Sequence, residues 1–231
     1  VDAPSHSQLD DAGRLLRDWA SGRLDGPLHD EEFNAAVRLV TLYRQSFTDP
    51  SRATEALIAT FLTEVAPDAK LTGRPKRTGA IIGKLVRHRS MRLTQMADIA
   101  GLRVRFSQDA PEVRHLCQRM ETQWPTAKLI DYVARPKPTG YRALHVLVEM
   151  DGRVVEVQLR TANQNRWADE VELAADRLDI ALKDGEGPDD LVRYFERAAY
   201  KLAIEDQGGA LDEAFKRDFE DLRQKIRGYF R

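Results

Sequence analysis

Apolar and polar residues alternate with a period of two from Arg153 to Thr161. Val155, Val157 and Leu159 fall on one side, and Glu156, Gln158 and Arg160 on the other. Successive strand side chains point to opposite faces of the pleat, so this spacing predicts one face that packs and one that presents a carboxylate, an amide and a guanidinium. A solvent-facing sheet surface would produce the same alternation. The pattern recurs over 99–106, where Leu102, Val104 and Phe106 oppose Arg103 and Arg105, and strands are also predicted over 128–134 and 141–150. Asp151-Gly152 reads as the hairpin turn leading into the Arg153 strand. Two prolines stiffen the loop Arg135-Pro136-Lys137-Pro138-Thr139-Gly140.

Helical spacing accounts for most of the remainder. Three helices are predicted before the sheet, on the stripes Leu15/Leu16/Trp19, Phe33/Val37/Val40 and Leu57/Ile58/Phe61/Leu62/Val65. Gly22, Gly26, Pro27 and Pro50 punctuate them, and the third is expected to start at Ser51, with Thr54 and Glu55 in its first turn. A helix is predicted over 110–122. After Thr161, Trp167, Val171, Ala174, Leu178 and Leu182 share a face. Beyond the break at 185–188, Leu191, Phe195, Ala198 and Leu202 begin another helix. Gly208-Gly209 separates it from a last one striped by Phe215, Phe219, Leu222, Ile226 and Phe230. The expected architecture is α+β, a mixed β-sheet flanked by helices. Its segments are N-terminal helices over 1–50, a core over 51–182, and C-terminal helices over 183–231 that pack on the core or on a partner.

With 231 residues, 42% of them apolar, the chain can bury a sizeable core. Its net charge of −1 means that any attraction for polyanions must be local. Residues 70–105 supply that locality, with ten Lys or Arg against a single acid, Asp98. A solvated basic helix face and a polyphosphate or nucleic-acid site both account for it. Within it, the run from Gly79 to Leu85 resembles a phosphate loop but fails as one. The glycine spacing is a residue short, and Leu85 stands where a magnesium-binding Ser or Thr is needed.

The one cysteine, Cys117, lies among Val113, Leu116 and Met120 at helical spacing and is expected to be a buried structural thiol. No apolar run approaches the roughly 18 residues of a membrane span, and the polar N-terminus has no signal-peptide core, so a cytoplasmic location is expected. The first residue is Val, which leaves open a lost targeting or delivery segment.

Asp98, where a strand begins, and Glu156, on the Arg153 strand, are a candidate pair of magnesium ligands, since this hard ion takes a few carboxylates plus phosphate oxygens and water. An acid among arginines is also an ordinary salt-bridge partner. The surrounding motifs bear on the choice. They are Gly73-Arg74-Pro75-Lys76, Lys84, Asp98-Ile-Ala-Gly-Leu-Arg103, Asp131-Tyr132, Pro136-Lys137-Pro138-Thr139-Gly140-Tyr141-Arg142-Ala143-Leu144-His145 and Glu156-Val-Gln-Leu-Arg-Thr161. In order and spacing they resemble the synthetase domain of the RelA/SpoT family over roughly residues 50–182.

That resemblance implies a nucleotidyltransferase-like fold. It also implies Mg2+-dependent transfer of the β,γ-pyrophosphate of ATP to the ribose 3′-hydroxyl of GDP or GTP, yielding AMP and (p)ppGpp. Residue by residue it makes Asp98 the metal ligand, and Glu156 the group that activates the acceptor hydroxyl or helps hold the ion. Arg74 and Arg103 would sandwich the adenine, and Lys76, Arg77 and Lys84 would neutralise the triphosphate. Tyr141 would stack on the acceptor base, while Lys137, Arg142, His145 and Gln158 would complete the acceptor site. Strand parity puts Tyr141, Ala143 and His145 on one face.

The long members' hydrolase needs a His/Asp metal cluster, and His29-Asp30 is the only adjacent pair, so a stand-alone synthetase without hydrolysis is expected. Small members divide by acceptor among guanine nucleotides, adenine nucleotides and, in a toxic branch, the 3′ end of tRNA. Ala143, where housekeeping members commonly have Ser, and the run Gln164, Trp167, Ala168, Glu170 resemble the toxin-like members, for which an antitoxin or immunity partner would be expected. A catalytically inactive nucleotide-binding module and a homo-oligomer also remain open.

Overall fold

The computed structural model describes residues 3–24, 30–107 and 110–230. Eight α-helices and five strands are found among them: α1 (His6–Ala20), α2 (Asp30–Gln45), α3 (Thr48–Val65), β1 (Lys70–Gly73), α4 (Thr78–Arg87), β2 (Ala100–Arg105), α5 (Ala110–Gln123), β3 (Lys128–Asp131), β4 (Leu144–Met150), β5 (Arg153–Arg160), α6 (Ala162–Leu178), α7 (Asp189–Asp206) and α8 (Glu213–Ile226). His29, half of the histidine–aspartate pair, lies outside the described residues. Among those residues no helix is long and apolar enough to cross a membrane.

The strands form one sheet in the order β1-β2-β5-β4-β3. The Asp151-Gly152 turn, with φ of 50° and 71°, joins β4 and β5 as an antiparallel hairpin, because two successive positive φ values match the strand twist. The Phe106 amide donates to the Arg160 carbonyl at 3.0 Å, so β2 and β5 end level and run the same way. Arg74 and Lys76, just past β1, donate to Gly101 and Ile99, which makes β1 antiparallel to β2. The sheet is therefore mixed, as expected. Val155, Val157 and Leu159 are wholly buried, as are Leu102 and Val104 to within 1%, so the predicted packing face exists.

The chain divides into two compact units, each described separately below. One comprises Val1–Thr60, Leu71–Arg103 and Leu147–Val157; the other comprises Phe61–Lys70, Val104–Val146 and Gln158–Arg231.

In the first unit, Ser5 and Gln8 cap α1 reciprocally, the serine hydroxyl accepting from the Gln8 amide and the glutamine oxygen from the Ser5 amide. The helix buries Leu9, Ala12 and Leu16 against α2 and α4. The expected stripe is thus rotated: Trp19 is half exposed and packs on Phe33, with ring centroids 4.6 Å apart. The start of α3 is also corrected. It begins at Thr48, with Pro50 inside its first turn, where a missing N–H removes no helical hydrogen bond.

In the second unit, α6 ends at Leu178 because Asp179 takes a left-handed conformation, and Leu182 sits on a separate 3-10 turn instead of continuing the helix. Both still join one apolar cluster with α7 and Ile226 of α8. Phe219 stacks on Tyr194 at 5.2 Å, so the last stripe is covered by its own unit. Cys117 is buried, and desolvation, then Glu121, pushes its thiol up to about 11, as suits a structural cysteine.

Leu159→Ala should cost about 2–5 kcal/mol in chemical denaturation, since the side chain has no solvent-facing surface to lose. Leu173→Ala, at a position 71% exposed, should stay within about 0.5 kcal/mol of the parent.

Candidate active site

The donor-side residues all belong to the first unit. The antiparallel pairing past β1 sets them in place: the Lys76 amide meets the Ile99 carbonyl at 3.0 Å, one residue from Asp98. Gly101 permits this close approach, because a Cβ there would stand 3.1 Å from the Arg74 carbonyl oxygen. Arg44 of α2 steadies the same segment by donating from Nε to the Lys76 carbonyl at 2.7 Å. The Lys76 ammonium then bonds Asp98 Oδ2 at 2.8 Å, and Lys84, from the middle of α4, bonds Oδ1 at 2.9 Å.

Burial alone raises the Asp98 pKa, but the hydrogen bonds and charges of Lys76 and then Lys84 outweigh it, and the net position is below the ordinary 3.8. The carboxyl is held ionised, with two cations beside it. Glu156 is half-buried on β5, the strand next to β2, and Arg103 is half-buried on β2 itself. Arg74 and Arg77 are exposed, Arg77 at the N-cap of α4.

The acceptor-side residues belong to the second unit. Here β3 and β4 are each three residues shorter than expected, leaving a loop over 132–143. Asp131 ends β3, because its Oδ1 accepts from the Val133 and Ala134 amides at 2.8 Å each. Tyr141 precedes β4 and is fixed at its phenol: Arg160 Nη2 donates to the hydroxyl at 2.9 Å, and His145 Nε2 lies 2.6 Å away. The cations of Lys137 and Arg160 each lie 5.2 Å from its ring centroid. Arg160 also donates to Gln158 Oε1 at 2.9 Å.

Two expectations change here. His145 is 7% exposed, packed edge-on between Tyr132 and Tyr141, so the ring supports Tyr141 and has almost no surface to offer a phosphate. Tyr141 and Ala143 precede β4, so strand parity does not govern them; Ala143 is fully buried and two tyrosines cover His145. Arg142 turns to the backbone, donating from Nη1 to the Gly140 and Ala199 carbonyls at 3.1 and 3.4 Å, and burial lowers its pKa despite the charge of Asp206. Strand spacing puts the Arg160 guanidinium on the polar face with Glu156 and Gln158, and the structure turns its Nη2 to Tyr141 and Gln158.

Residues 73–175 match the family model described as a region found in RelA/SpoT proteins. That stretch of the chain is therefore similar to the RelA/SpoT region. An uncharacterized protein of Mycobacterium tuberculosis is 30% identical over 127 residues, which is 54% of this chain and 46% of that one. The GTP pyrophosphokinase of Escherichia coli is 26% identical over 208 residues, covering 84% of this chain and 27% of that enzyme. The chain thus spans about half the length of the first relative and less of the second. Among solved structures, the small alarmone synthetase 1 from Bacillus subtilis bound to its product pppGpp superposes with a TM-score of 0.58 at 23% identity, over 73% of this chain and 94% of that one. A GTP pyrophosphokinase family protein from Streptococcus pneumoniae does so at 0.55 and 25%, over 71% and 89%. The α+β fold is that of the small alarmone synthetases.

Folding depresses the Asp98 pKa, so its contribution to stability is complete above the unfolded value and is lost as pH falls through the folded one. The stability difference between the parent and Asp98→Asn, measured by urea denaturation, should therefore shrink as the pH is taken below 3.8. A difference constant into strong acid would contradict the ion-pair assignment.

Proposed function

We propose that this protein, as a member of the RelA/SpoT family, transfers the β,γ-pyrophosphate of ATP to the ribose 3′-hydroxyl of GDP or GTP, in the cytoplasm, releasing AMP. The supporting observation is Asp98, ionised between Lys76 and Lys84, with Glu156 on the neighbouring strand of the same unit. The reaction joins the 3′-oxygen to the β-phosphorus and breaks the bond from that phosphorus to the bridging α–β oxygen. The hydroxyl proton passes to Glu156, and the electron pair leaves with AMP.

Such a transfer needs positioning and charge neutralisation more than covalent help. Lys76, Lys84 and the exposed Arg77 supply positive charge for the phosphates. Arg74 and Arg103 have the flat, delocalised head groups that stack on adenine, which an ammonium cannot do. Tyr141 offers its ring to the guanine, a contribution of ~1–3 kcal/mol, and Lys137 must leave whichever face the base takes. Gln158 completes the acceptor contacts.

Among the described residues no cluster of three or more His, Cys, Asp or Glu could hold a metal. Two carboxylates still fit magnesium, which fills its remaining positions with phosphate oxygens and water, and the low pKa keeps Asp98 in the ligating form. When bound by Asp98 and Glu156, the ion would neutralise charge on the phosphates.

A second reading has its own observation: Arg74, Arg77, Arg87, Arg89 and Arg92 of the first unit are all exposed, which suits the 3′ end of tRNA as acceptor. Incubation with ATP labelled in the β- and γ-phosphates, together with GDP, GTP, ATP or bulk tRNA, separates the readings. Label is expected on GDP or GTP. Label on tRNA alone would establish the second reading, and none on any acceptor would leave a binding module.

Glu156→Gln should bind ATP normally yet lose at least about a hundredfold in transfer rate, in keeping with the loss of a general base. Full turnover in that variant would remove the role assigned to the carboxylate. Tyr141→Ala should weaken acceptor binding by about tenfold or more, with ATP affinity near that of the parent, as measured by calorimetric titration. Unchanged acceptor affinity would count against stacking.

A further inference from the structure

The 132–143 loop rests on α7, a helix outside the 73–175 family match. At Gly140 φ is +90°, and a Cβ there would stand 2.6 Å from the Ala199 Cβ and 3.4 Å from the Glu196 Cα, so loop backbone and helix touch with no room for a side chain. Two residues on, Arg142 reaches the same turn of helix, bridging the Gly140 and Ala199 carbonyls. One turn earlier, the Phe195 carbonyl accepts from the Trp167 indole at 2.8 Å, and that indole lies 6.2 Å from the Tyr141 ring.

Tyr141 sits between Gly140 and Arg142, and so has two anchors. Arg160 and His145 fix its hydroxyl, and α7 fixes its backbone through both neighbours. A pocket of about 200 Å³, lined by Gly140, Arg142, Trp167, Ala199, Leu202 and Asp206, leaves the loop without close packing on one flank.

We infer that α7 is part of the acceptor site: Ala199 is a positioning residue that sets, through Gly140 and Arg142, where Tyr141 meets the acceptor base. The inference rests on the proposed acceptor role of Tyr141. It places a determinant of acceptor specificity beyond the segment that defines the family. A larger side chain at 199 lifts the loop, and the tyrosine with it, without touching Lys76, Lys84 or Asp98.

The test combines amide hydrogen exchange over residues 137–141 with steady-state kinetics on the full chain. Ala199→Leu should speed exchange of the Gly140 amide, which donates to the Lys137 carbonyl at 2.8 Å, by about tenfold. It should raise acceptor KM about tenfold while holding ATP KM within about twofold. Gly140→Ala should act alike, and adding Ala199→Gly, which removes the opposing methyl, should recover part of the loss. That double variant also serves if the leucine variant does not fold, since it shrinks the contact. Unchanged exchange in the single variants, no recovery in the double one, or donor and acceptor KM rising together would overturn the inference. A parent chain that transfers nothing to guanine nucleotides would count against the proposed function, while hydrogen exchange would still decide whether α7 holds the loop.

Discussion

A slip of one residue in β5 would turn Val155, Val157 and Leu159 away from the core and bring Glu156, Gln158 and Arg160 into it. Side chains alternate strictly across a strand, so there is no intermediate register. The three apolar side chains are wholly buried, and burying each is worth about 1.5–3 kcal/mol. Packing therefore decides which way the functional face points. The same strand carries Glu156, Gln158 and Arg160.

Electrostatics then separates two kinds of charge. Around Asp98, two lysines converge on one carboxylate, and the balance of burial against attraction keeps it ionised. At Tyr141, Arg160 is only 4% exposed and its Nη2 bonds a phenol and an amide, while its buried Nε and Nη1 have no hydrogen-bond partner. A buried guanidinium in such a place fixes geometry at the cost of desolvation. The tyrosine it holds keeps a partly exposed ring, as a stacking platform must.

The parts of the fold written as periodicity could be read from the sequence. β2 and β5, the hairpin turn and the apolar faces of α6, α7 and α8 follow from spacing alone. β1 was missed because Lys70–Gly73 has almost no buried face; it is an edge strand defined by backbone pairing with β2, and sequence does not display backbone pairing. The ends of β3 and β4 were set too far into the loop, although Asp131 offered a turn signal that aliphatic neighbours masked. Among site residues, the motif order named Lys76, Lys84 and Asp98, and the structure joins them in one ion-paired group. His145 and Arg142 carried the right chemistry for phosphate but are turned elsewhere by Tyr132, Tyr141 and α7. Those partners are 13 and 57 residues away in the clearest cases, Tyr132 for His145 and Ala199 for Arg142, and no local pattern reports them.

Asp98, in the turn just before β2, and Glu156, on the adjacent β5, are proposed to serve one divalent ion together with the triphosphate. Manganese binding in the presence of a non-hydrolysable ATP analogue, followed by electron paramagnetic resonance, tests it without relying on turnover. The account predicts that Asp98→Asn and Glu156→Gln each weaken manganese binding at least about tenfold, as loss of a carboxylate ligand should. Parental affinity in both variants would contradict it.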